Sequence, residues 1–490
     1  MRHIALSILF PIAAGIYLLV RKEPKNRKNL LAMTGAFLLI SAVLMILALC
    51  FAGGGMYTFF NLTDRLPILF KIDGISVLFS VLTIIVFLCA GSFSFVYMKH
   101  ELKEKRYYGY YLIVMGILTA LCFAGNMITF YLFFELLTLS SFPLVLHSGK
   151  REAVMAGLKY LFYSLCGAYL SLFGIYFVEK YGNTLTFSAG GVISERAAAG
   201  HGGILLFTAF LMILGFGVKA GMFPMHSWLF AAHPAAPAPA SAILSAVIVK
   251  AGVLALVRTV FYIYGTSFLR GTWVQSVWLV LTLLTIFMGS MLAYREPVLK
   301  KRLAYSTISQ VSYILFGFAV MDGDSVTGGL FHALCHGFVK AALFLCAGAI
   351  IYTTGKTRVE ELKGIGKKMP VTIWCYTIVS LGLIGIPPTG GFISKWYLAE
   401  GALSSGMHVF SWLGPVVLLV SALLTAGYLL PVTIHGFFPG EDYDYGKLEK
   451  KEPSPFMTVP ILVLTVLSVA IGLLPGGLLD YLQQMMEKIV

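Results

Sequence analysis

Charged residues are scarce in this chain. Asp, Glu, Lys and Arg make up 12% of its 490 residues, whereas soluble domains contain about 25%. Apolar residues make up 58%, and a soluble globule cannot bury that much apolar surface. The composition therefore excludes a string of soluble domains and predicts one continuous bundle that crosses a lipid bilayer many times.

Cysteine motifs are lacking as well. The seven cysteines lie in or beside apolar segments, and no two of them form a CxxC pair. This pattern argues against iron–sulfur, zinc and disulfide frameworks, so we expect no cofactor and no metal ion in this chain. Nucleic acid is excluded as a partner, because no basic run combines with aromatic residues outside the apolar segments.

Fourteen apolar segments are present, and a bilayer span needs about 20 such residues. They lie near residues 3–20, 30–52, 72–98, 108–124, 126–147, 153–178, 204–222, 239–262, 272–293, 303–320, 326–353, 371–400, 411–435 and 457–475. No small-residue cleavage site precedes the first basic loop, so we expect the first segment to be an uncleaved span. The tail after the last span, residues 478–490, is expected to form a short interfacial helix.

The distribution of basic residues predicts the orientation. Of the 36 Lys and Arg residues, 23 lie in loops after odd-numbered spans, seven lie on the other side and six fall inside spans. Cytoplasmic loops of membrane proteins collect Lys and Arg. We therefore expect a multi-pass protein of the inner (cytoplasmic) membrane with both termini outside.

The six cations inside spans are the most informative residues. A charge near the bilayer centre costs about 2.5–3.5 kcal/mol and usually marks a polar path. Lys159 and Arg258 both lie toward span ends, where a long side chain can reach the interface by snorkelling. Snorkelling is therefore the expected explanation for Lys159 and an equal alternative to a polar path for Arg258. The four deeper or break-associated lysines are candidates for transport: Lys219, Lys250, Lys340 and Lys395.

One acid, Glu135, lies in mid-span among apolar residues. Beside a lysine it would be ionised and would hold that lysine charged, so a Glu–Lys pair could act as a switch for proton release. A purely structural ion pair is the alternative.

Two predicted spans are interrupted in corresponding halves of the chain. The seventh runs through three glycines and Lys219 to Pro224, and the twelfth contains Pro387 and Pro388 followed by Lys395. Paired interrupted spans are typical of inverted repeats around a transport site. We expect repeats of spans four to eight and nine to thirteen, and two unrelated proline kinks are the alternative.

Histidines predict the middle of a path. His332, His336 and Lys340 are spaced i, i+4, i+8, so they share one helix face. Histidine titrates near neutral pH and suits a proton relay. His226 and His233 flank the stretch after Pro224. Metal binding by the i, i+4 histidines has no third ligand in the sequence to support it.

Together these segments resemble the antiporter-like subunits of respiratory complex I, of Mrp-type Na+/H+ antiporters and of membrane-bound hydrogenases. The resemblance covers roughly residues 70 to 440. Its motifs are FKIDGIS at 70–76, LFFELLTLSSFPLV at 132–145, GFGVKAGMFPMHSWLFAAHPAAPAPASAILSAVIVKAGVLALVR at 215–258, KKRLAYSTISQ at 300–310 and FHALCHGFVKAALFLCAGAI at 331–350.

The resemblance implies an all-α fold of about fourteen transmembrane helices, with two inverted five-helix repeats and broken helices seven and twelve. The implied division is helices 1–3 over residues 1–107, a first repeat over 108–262, a second repeat over 272–438, and helix 14 with a short tail over 456–490. In size the chain is closest to the D-type Mrp subunit.

The resemblance also implies roles for individual residues. Glu135 matches the glutamate that pairs with the lysine of broken helix seven, here Lys219, and Lys250 matches the central lysine of helix eight. Phe134 replaces the tryptophan that is common before this glutamate. Lys395 matches the helix-twelve residue, which is Lys in some members of the family and Glu in others. The polar links between Lys250 and Lys395 are matched by His332, His336 and Lys340. Arg258 matches a position that is often basic in the family. We expect an accessory polar path that consists of Asp73, His226, His233 and Arg258.

These features predict a proton-translocating subunit of a multisubunit membrane complex. The complex is either a Na+/H+ antiporter or a redox-driven pump of the complex I or hydrogenase kind. We expect other membrane subunits as partners, H+ and in the first case Na+ as transported ions, and no catalytic chemistry in this chain. The alternative functions are a stand-alone transporter of a small solute and a purely structural subunit.

Overall fold

The structure is a computed structural model that describes residues 1–22, 26–63, 66–440, 443–444 and 451–490. Four of the basic residues used to predict orientation lie outside these ranges: Lys25, Arg65, Lys447 and Lys450. The described residues form a bundle of α-helices, as the composition predicts.

The first half of the bundle contains the following helices: α1 (Arg2–Val20), α2 (Arg27–Phe51), α3 (Gly74–Tyr97), α4 (Glu104–Phe123), α5 (Met127–Val145), α6 (Arg151–Tyr181), α7 (Glu195–Ala220), α8 (Ser227–Ala235), α9 (Ala238–Ile243), α10 (Val249–Val257) and α11 (Thr266–Leu269). Two π-helical segments, Leu244–Ile248 and Arg258–Tyr264, join α9 and α10 into one continuous span over Ala238–Tyr264.

The second half contains these helices: α12 (Trp273–Arg295), α13 (Leu299–Val320), α14 (Gly323–Thr354), α15 (Ile365–Lys368), α16 (Pro370–Ile384), α17 (Gly390–Ser404), α18 (Val409–Phe437), α19 (Pro455–Leu473) and α20 (Gly476–Met486). Short 3-10 turns cover Met98–His100 and Val359–Leu362. Helix α20 occupies the tail for which a short helix is predicted.

The number of spans agrees with the prediction. In the described part of the chain, thirteen helices are long and apolar enough to cross a membrane, and α16 is a shorter apolar helix. Helix α16 is the first half of the interrupted twelfth span, so the chain has fourteen predicted spans and the structure places a helix at each.

Both predicted interruptions are present. Helix α7 ends at Ala220, Gly221 takes a left-handed φ of 77°, and α8 begins at Ser227. Trp228 Nε1 on α8 donates to the Val218 carbonyl at 2.8 Å. The last carbonyls of a helix have no partner within it, so the following helix supplies one and fixes the angle of the break.

The second interruption repeats this arrangement. Helix α16 ends at Ile384, Gly385 takes a φ of 92°, and α17 begins at Gly390. Here the donor is Lys395 on α17, whose Nζ reaches the Leu383 and Ile384 carbonyls at 2.7 and 2.6 Å. The broken span therefore places a lysine directly on the freed carbonyls.

An antiparallel hairpin between α2 and α3 was not predicted. Strands β1 (Met56–Thr63) and β2 (Leu66–Lys71) pair in the register Met56 to Lys71 and Tyr57 to Phe70. The Leu69 carbonyl accepts a bond from Gly125 in the turn between α4 and α5. The hairpin thus fastens the first three helices to the start of α5.

Three spans form the centre of the bundle. Every residue in the most apolar stretch of Ala238–Tyr264 and of α13 is buried, and α14 is nearly as enclosed. Helices that are apolar on all sides are typical of a buried core. In the peripheral helices α1, α2, α6, α18 and α19, less than half of the same stretch is buried, so the candidate path lies inside a shell of lipid-facing helices.

Helices α6 and α7 approach very closely. A Cβ at Gly167 would lie 2.4 Å from the Gly215 carbonyl oxygen, and a Cβ at Gly215 would lie 2.3 Å from that of Gly167. Small residues allow such backbone contact between membrane helices. This packing fixes the end of α7 and hence the position of Lys219.

Candidate functional site

Lys250 lies at the centre of the bundle and is fully buried. Its Nζ lies 2.6 Å from His336 Nδ1 on α14 and donates to the Ser245 carbonyl at 2.8 Å. Ser245 belongs to the π-helical segment Leu244–Ile248. Single π-turns widen a helix and recur at functional sites, and this one places a backbone acceptor beside the lysine.

The polar face of α14 has the predicted spacing. His332 and His336 are buried and stacked, with ring centroids 5.7 Å apart. Lys340, one turn further, is also buried, and its Nζ donates to the Leu303 carbonyl at 3.1 Å and to the Ser306 hydroxyl. The three side chains therefore lie along one buried face of α14.

His332 connects this face to broken helix twelve. His332 Nδ1 lies 2.8 Å from Ser394 Oγ, on the residue before Lys395. The His332 ring stacks on Tyr313 at 5.6 Å, and Lys395 Nζ lies 5.2 Å from the centre of the same Tyr313 ring. Tyr313 and Ser394 thus join His332 to Lys395, and neither was identified from the sequence.

Lys219 lies in the last turn of α7, buried against α5. Its Nζ donates to the Thr138 hydroxyl at 2.6 Å and to the Phe134 carbonyl at 3.0 Å, and lies 4.1 Å from the centre of the Phe134 ring. An aromatic face attracts a cation at this distance. Phe134 is the residue that replaces a tryptophan of the resembling family.

Glu135 does not form the expected direct ion pair with Lys219. Among the described residues, three ion pairs have N–O distances within 4.0 Å, and none includes Glu135. Phe134 and Thr138 are four residues apart on the face of α5 that meets Lys219, whereas the next residue points about 100° around the helix. Glu135 is half-buried there, and its Oε1 is buried without a hydrogen-bond partner.

The two accessory histidines differ in burial. His233 is fully buried, stacks on Phe344 at 4.7 Å and has no partner for either ring nitrogen. His226 is half-buried and stacks on Phe223 at 5.9 Å. The charges of Lys300, Lys340 and Lys250 act on His233, whereas the charge that acts on His226 is that of Lys159.

Arg258 forms a fixed ion pair apart from the central line. Its guanidinium donates to both Asp73 carboxylate oxygens at 2.5 and 2.8 Å and lies between the rings of Phe187 and Tyr262. Burial raises the pKa of Asp73, but the Arg258 charge, that ion pair and bonds from Ser76 outweigh it and lower the pKa to about 2. The pair joins the start of α3 to the span that carries Lys250.

Two buried cations, Lys300 and Arg302, were assigned to a loop from the sequence. Lys300, at the start of α13, is only 7% exposed, although its position among Lys301 and Arg302 assigns it to a cytoplasmic loop. Its Nζ donates to the Pro234 and Ala236 carbonyls at 3.2 and 2.5 Å. The signal that could have found it is the polar series that continues along α13 through Ser306, a pattern unusual for a lipid-facing span.

A metal ion has no ready site in the described part of the chain. No three His, Cys, Asp or Glu side chains there converge on one point. The arrangement consists instead of amines, imidazoles and hydroxyls in hydrogen-bond contact, which are groups that accept and donate protons.

Comparison with known proteins gives consistent matches. Residues 124–425 match the family described as NADH:quinone oxidoreductase/Mrp antiporter, TM. The chain is 31% identical over 382 residues to NADH-quinone oxidoreductase subunit N of Desulforudis audaxviator, a match that covers 76% of this chain and 74% of that protein.

A second relative and a solved structure agree. The D-type Na(+)/H(+) antiporter subunit of Bacillus subtilis is 30% identical over 411 residues, covering 83% of this chain and 80% of that protein. One solved structure, the Mrp complex from Dietzia sp. DQ12-45-1b, contains a chain that is 23% identical to this one. The two align with a TM-score of 0.85 over 100% of this chain and 98% of the other. At that identity the structural match shows a shared fold.

Proposed function

The chain belongs to the NADH:quinone oxidoreductase/Mrp antiporter family, as its motifs predict, and we propose that it moves protons through its interior along a line from Lys250 to Lys395. One observation carries this proposal. Lys250, His336, His332 and Ser394 form a buried series in which the first contact is 2.6 Å and the last is 2.8 Å. A buried series of titratable side chains is typical of a proton relay.

The proposed transfer begins at Lys250. Its ammonium gives a proton to His336, so that the amine becomes neutral and the imidazole becomes charged. The two stacked rings of His336 and His332 have no direct bond between their nitrogens, and neither Nε2 has a partner among the residues that the structure describes. A water molecule between them would complete the path. From His332 the proton passes by way of Ser394 toward Lys395.

Glu135 is proposed to control Lys219. The two residues are not in contact, but their charges act on each other. A rotation of α5 that brings the carboxylate to Lys219 would hold the lysine protonated, and the return would release its proton. The unpartnered Oε1 supports this role, because a buried carboxylate oxygen without a hydrogen bond is not at its most stable position.

The chain is proposed to act beside other membrane subunits. Its relatives bear the names of subunits of an NADH-quinone oxidoreductase and of a Na(+)/H(+) antiporter, so the drive is either a redox reaction elsewhere in the complex or exchange for Na+. We also propose that the chain is divided into two repeats, over residues 108–262 and 272–438. We propose further that it lies in the inner membrane with both termini outside.

The substitution Lys250→Gln tests the axis. The whole complex in membrane vesicles should lose at least about tenfold in the rate of proton movement reported by a pH-sensitive dye, because glutamine cannot carry a proton. Co-purification of the partner subunits shows whether assembly is intact. Lys180→Gln, on an exposed lysine at the end of α6, is the matched control and should transport normally. Wild-type transport by Lys250→Gln would rule out the axis.

A further inference from the structure

A cavity opens at the end of the bundle that carries the basic loops. It has a volume of about 920 Å³ and lies between α6, α8 and α13. Lys150 and Thr357, from two of the loops predicted to be cytoplasmic, line it together with Glu101. The cavity therefore connects the predicted cytoplasmic side with the interior of the bundle.

Lys300 is one of the residues that line this cavity. Its Nζ donates to the Pro234 and Ala236 carbonyls, and both of these residues also line the cavity. No carboxylate oxygen lies within 4.0 Å of it among the described residues. An ammonium has three N–H donors, so two hold the carbonyls and the third has no partner among the described residues.

His233 is the residue before Pro234, whose carbonyl accepts from Lys300. It is fully buried, and neither ring nitrogen has a hydrogen-bond partner in the described part of the chain. Lys300 is the cation with the largest effect on it, followed by Lys340 and Lys250. A buried imidazole without hydrogen bonds is costly for the fold. A role in proton transfer from the cavity to the central lysines accounts for its presence.

We propose that protons enter through this cavity and that Lys300 is the residue that passes them to His233, from which they reach Lys250 or Lys340. This inference rests on the proposed function, because it supplies protons to the same axis. The Lys300 ammonium loses one proton, its N–H bond breaks, and an N–H bond forms on the imidazole. The neutral amine keeps two N–H donors and both carbonyl bonds, and water in the cavity then reprotonates it.

The competing explanation is structural. Lys300 satisfies carbonyls at the end of α8, and a cation there is favourable whether or not it moves protons. Substitutions that keep the positive charge of Lys300 but prevent proton release distinguish the structural role from the transfer role. Arginine stays charged and can donate to carbonyls, but it does not release a proton. Histidine can release one.

The transfer role predicts a specific order of activities. In the whole complex, Lys300→Arg and Lys300→Gln should each slow proton uptake from the cytoplasmic side at least about tenfold, and Lys300→His should restore part of the rate. The control is Lys301→Gln, on the neighbouring lysine that is 39% exposed and paired with Glu296, and it should behave as wild type. A normal rate in Lys300→Arg would overturn the transfer role and leave only the structural one.

Water access to the cavity is tested separately. Ala231 lines the cavity, whereas its neighbour Ala232 is fully buried. Ala231→Cys should react with a membrane-impermeant maleimide added from the cytoplasmic side, above the background of the native cysteines, and Ala232→Cys should not. Protection of Ala231→Cys would mean that lipid or protein fills the cavity, and it would overturn the proposal.

The outcomes distinguish this inference from the axis itself. If Lys250→Gln transports normally, the axis fails and the role of Lys300 fails with it. If Lys250→Gln is inactive while Lys300→Gln and Lys300→Arg are normal, the axis stands and protons enter elsewhere.

Discussion

At the scale of single residues, the buried lysines share one kind of environment. Lys250, Lys340 and Lys395 each donate to backbone carbonyl oxygens, and none has a carboxylate within 4.0 Å among the described residues. A carbonyl accepts from an ammonium and from a neutral amine alike. The same contacts therefore persist through a cycle of protonation, and the lysines need not move to exchange a proton.

His147, in the loop after α5, gives a prediction of pH dependence. Burial lowers its pKa to about 4 from an ordinary 6.5, the Leu102 carbonyl opposes this, and the charges of Arg106 and Lys103 add to it. Below pH 6.5 the unfolded chain takes up a proton that the folded protein does not. Stability is therefore complete above about pH 6.5 and falls by up to about 3 kcal/mol as the pH decreases toward 4.

The variant His147→Gln should remove that part of the pH dependence. Thermal unfolding of the detergent-solubilised protein between about pH 7 and pH 4.5 measures it. His3→Gln, on an exposed histidine of α1, should keep the wild-type slope. An unchanged slope in His147→Gln would show that other groups cause the loss of stability.

At the scale of elements, the break in span twelve depends on one glycine. A Cβ at Gly391 would lie 1.9 Å from the Gly382 carbonyl oxygen, whereas a Cβ at Gly382 would meet nothing closer than 3.7 Å. Gly391→Ala must therefore push α17 away from α16 and move Lys395 off the carbonyls that it holds.

We expect Gly391→Ala to destabilise the protein by about 1–3 kcal/mol, the usual cost of overpacking, and to slow proton transport. Gly382→Ala, on the other side of the same contact, should leave both properties close to wild type. Thermal unfolding and vesicle transport of the two variants provide the comparison. Equal behaviour of the pair would show that the break tolerates extra space between its halves.

The elements differ in how far the sequence predicts them. The spans agree within a few residues for α5, predicted at 126–147 and found at Met127–Val145, because hydropathy reports membrane crossing directly. The hairpin β1–β2 was missed, since two short strands between spans have no long apolar run. The contact of Lys219 with Thr138 joins residues 81 positions apart, and no periodicity within one helix reports such a pairing.

Lys300 shows where counting charges misleads. Orientation is predicted by assigning each basic residue to a loop or a span, and Lys300, Lys301 and Arg302 are adjacent in sequence. Consecutive residues of a helix point in different directions. Lys301 is exposed while Lys300 and Arg302 are buried, so one basic cluster contributes both to the surface and to the interior.

At the scale of the whole molecule, the Asp73–Arg258 pair joins segments 185 residues apart in sequence. The side chains are 20% and 1% exposed. Asp73→Asn leaves the arginine charged and buried, and losing one partner of such a pair costs about 3–5 kcal/mol. Its thermal midpoint should fall clearly, whereas Lys301→Gln, at a surface pair, should cost at most about 1 kcal/mol. A midpoint equal to wild type in Asp73→Asn would contradict this role.

The enclosed position of α14 has a consequence for biosynthesis. Its neighbours include α16, α17 and α19, which the ribosome produces only after α14 has left it. Before α16, α17 and α19 are inserted, the face with His332, His336 and Lys340 contacts lipid or the helices already made. Each charge in lipid costs about 2.5–3.5 kcal/mol. A nascent chain that stops before α16 therefore exposes the groups that the finished protein hides, which gives membrane quality control a means of recognising incomplete copies.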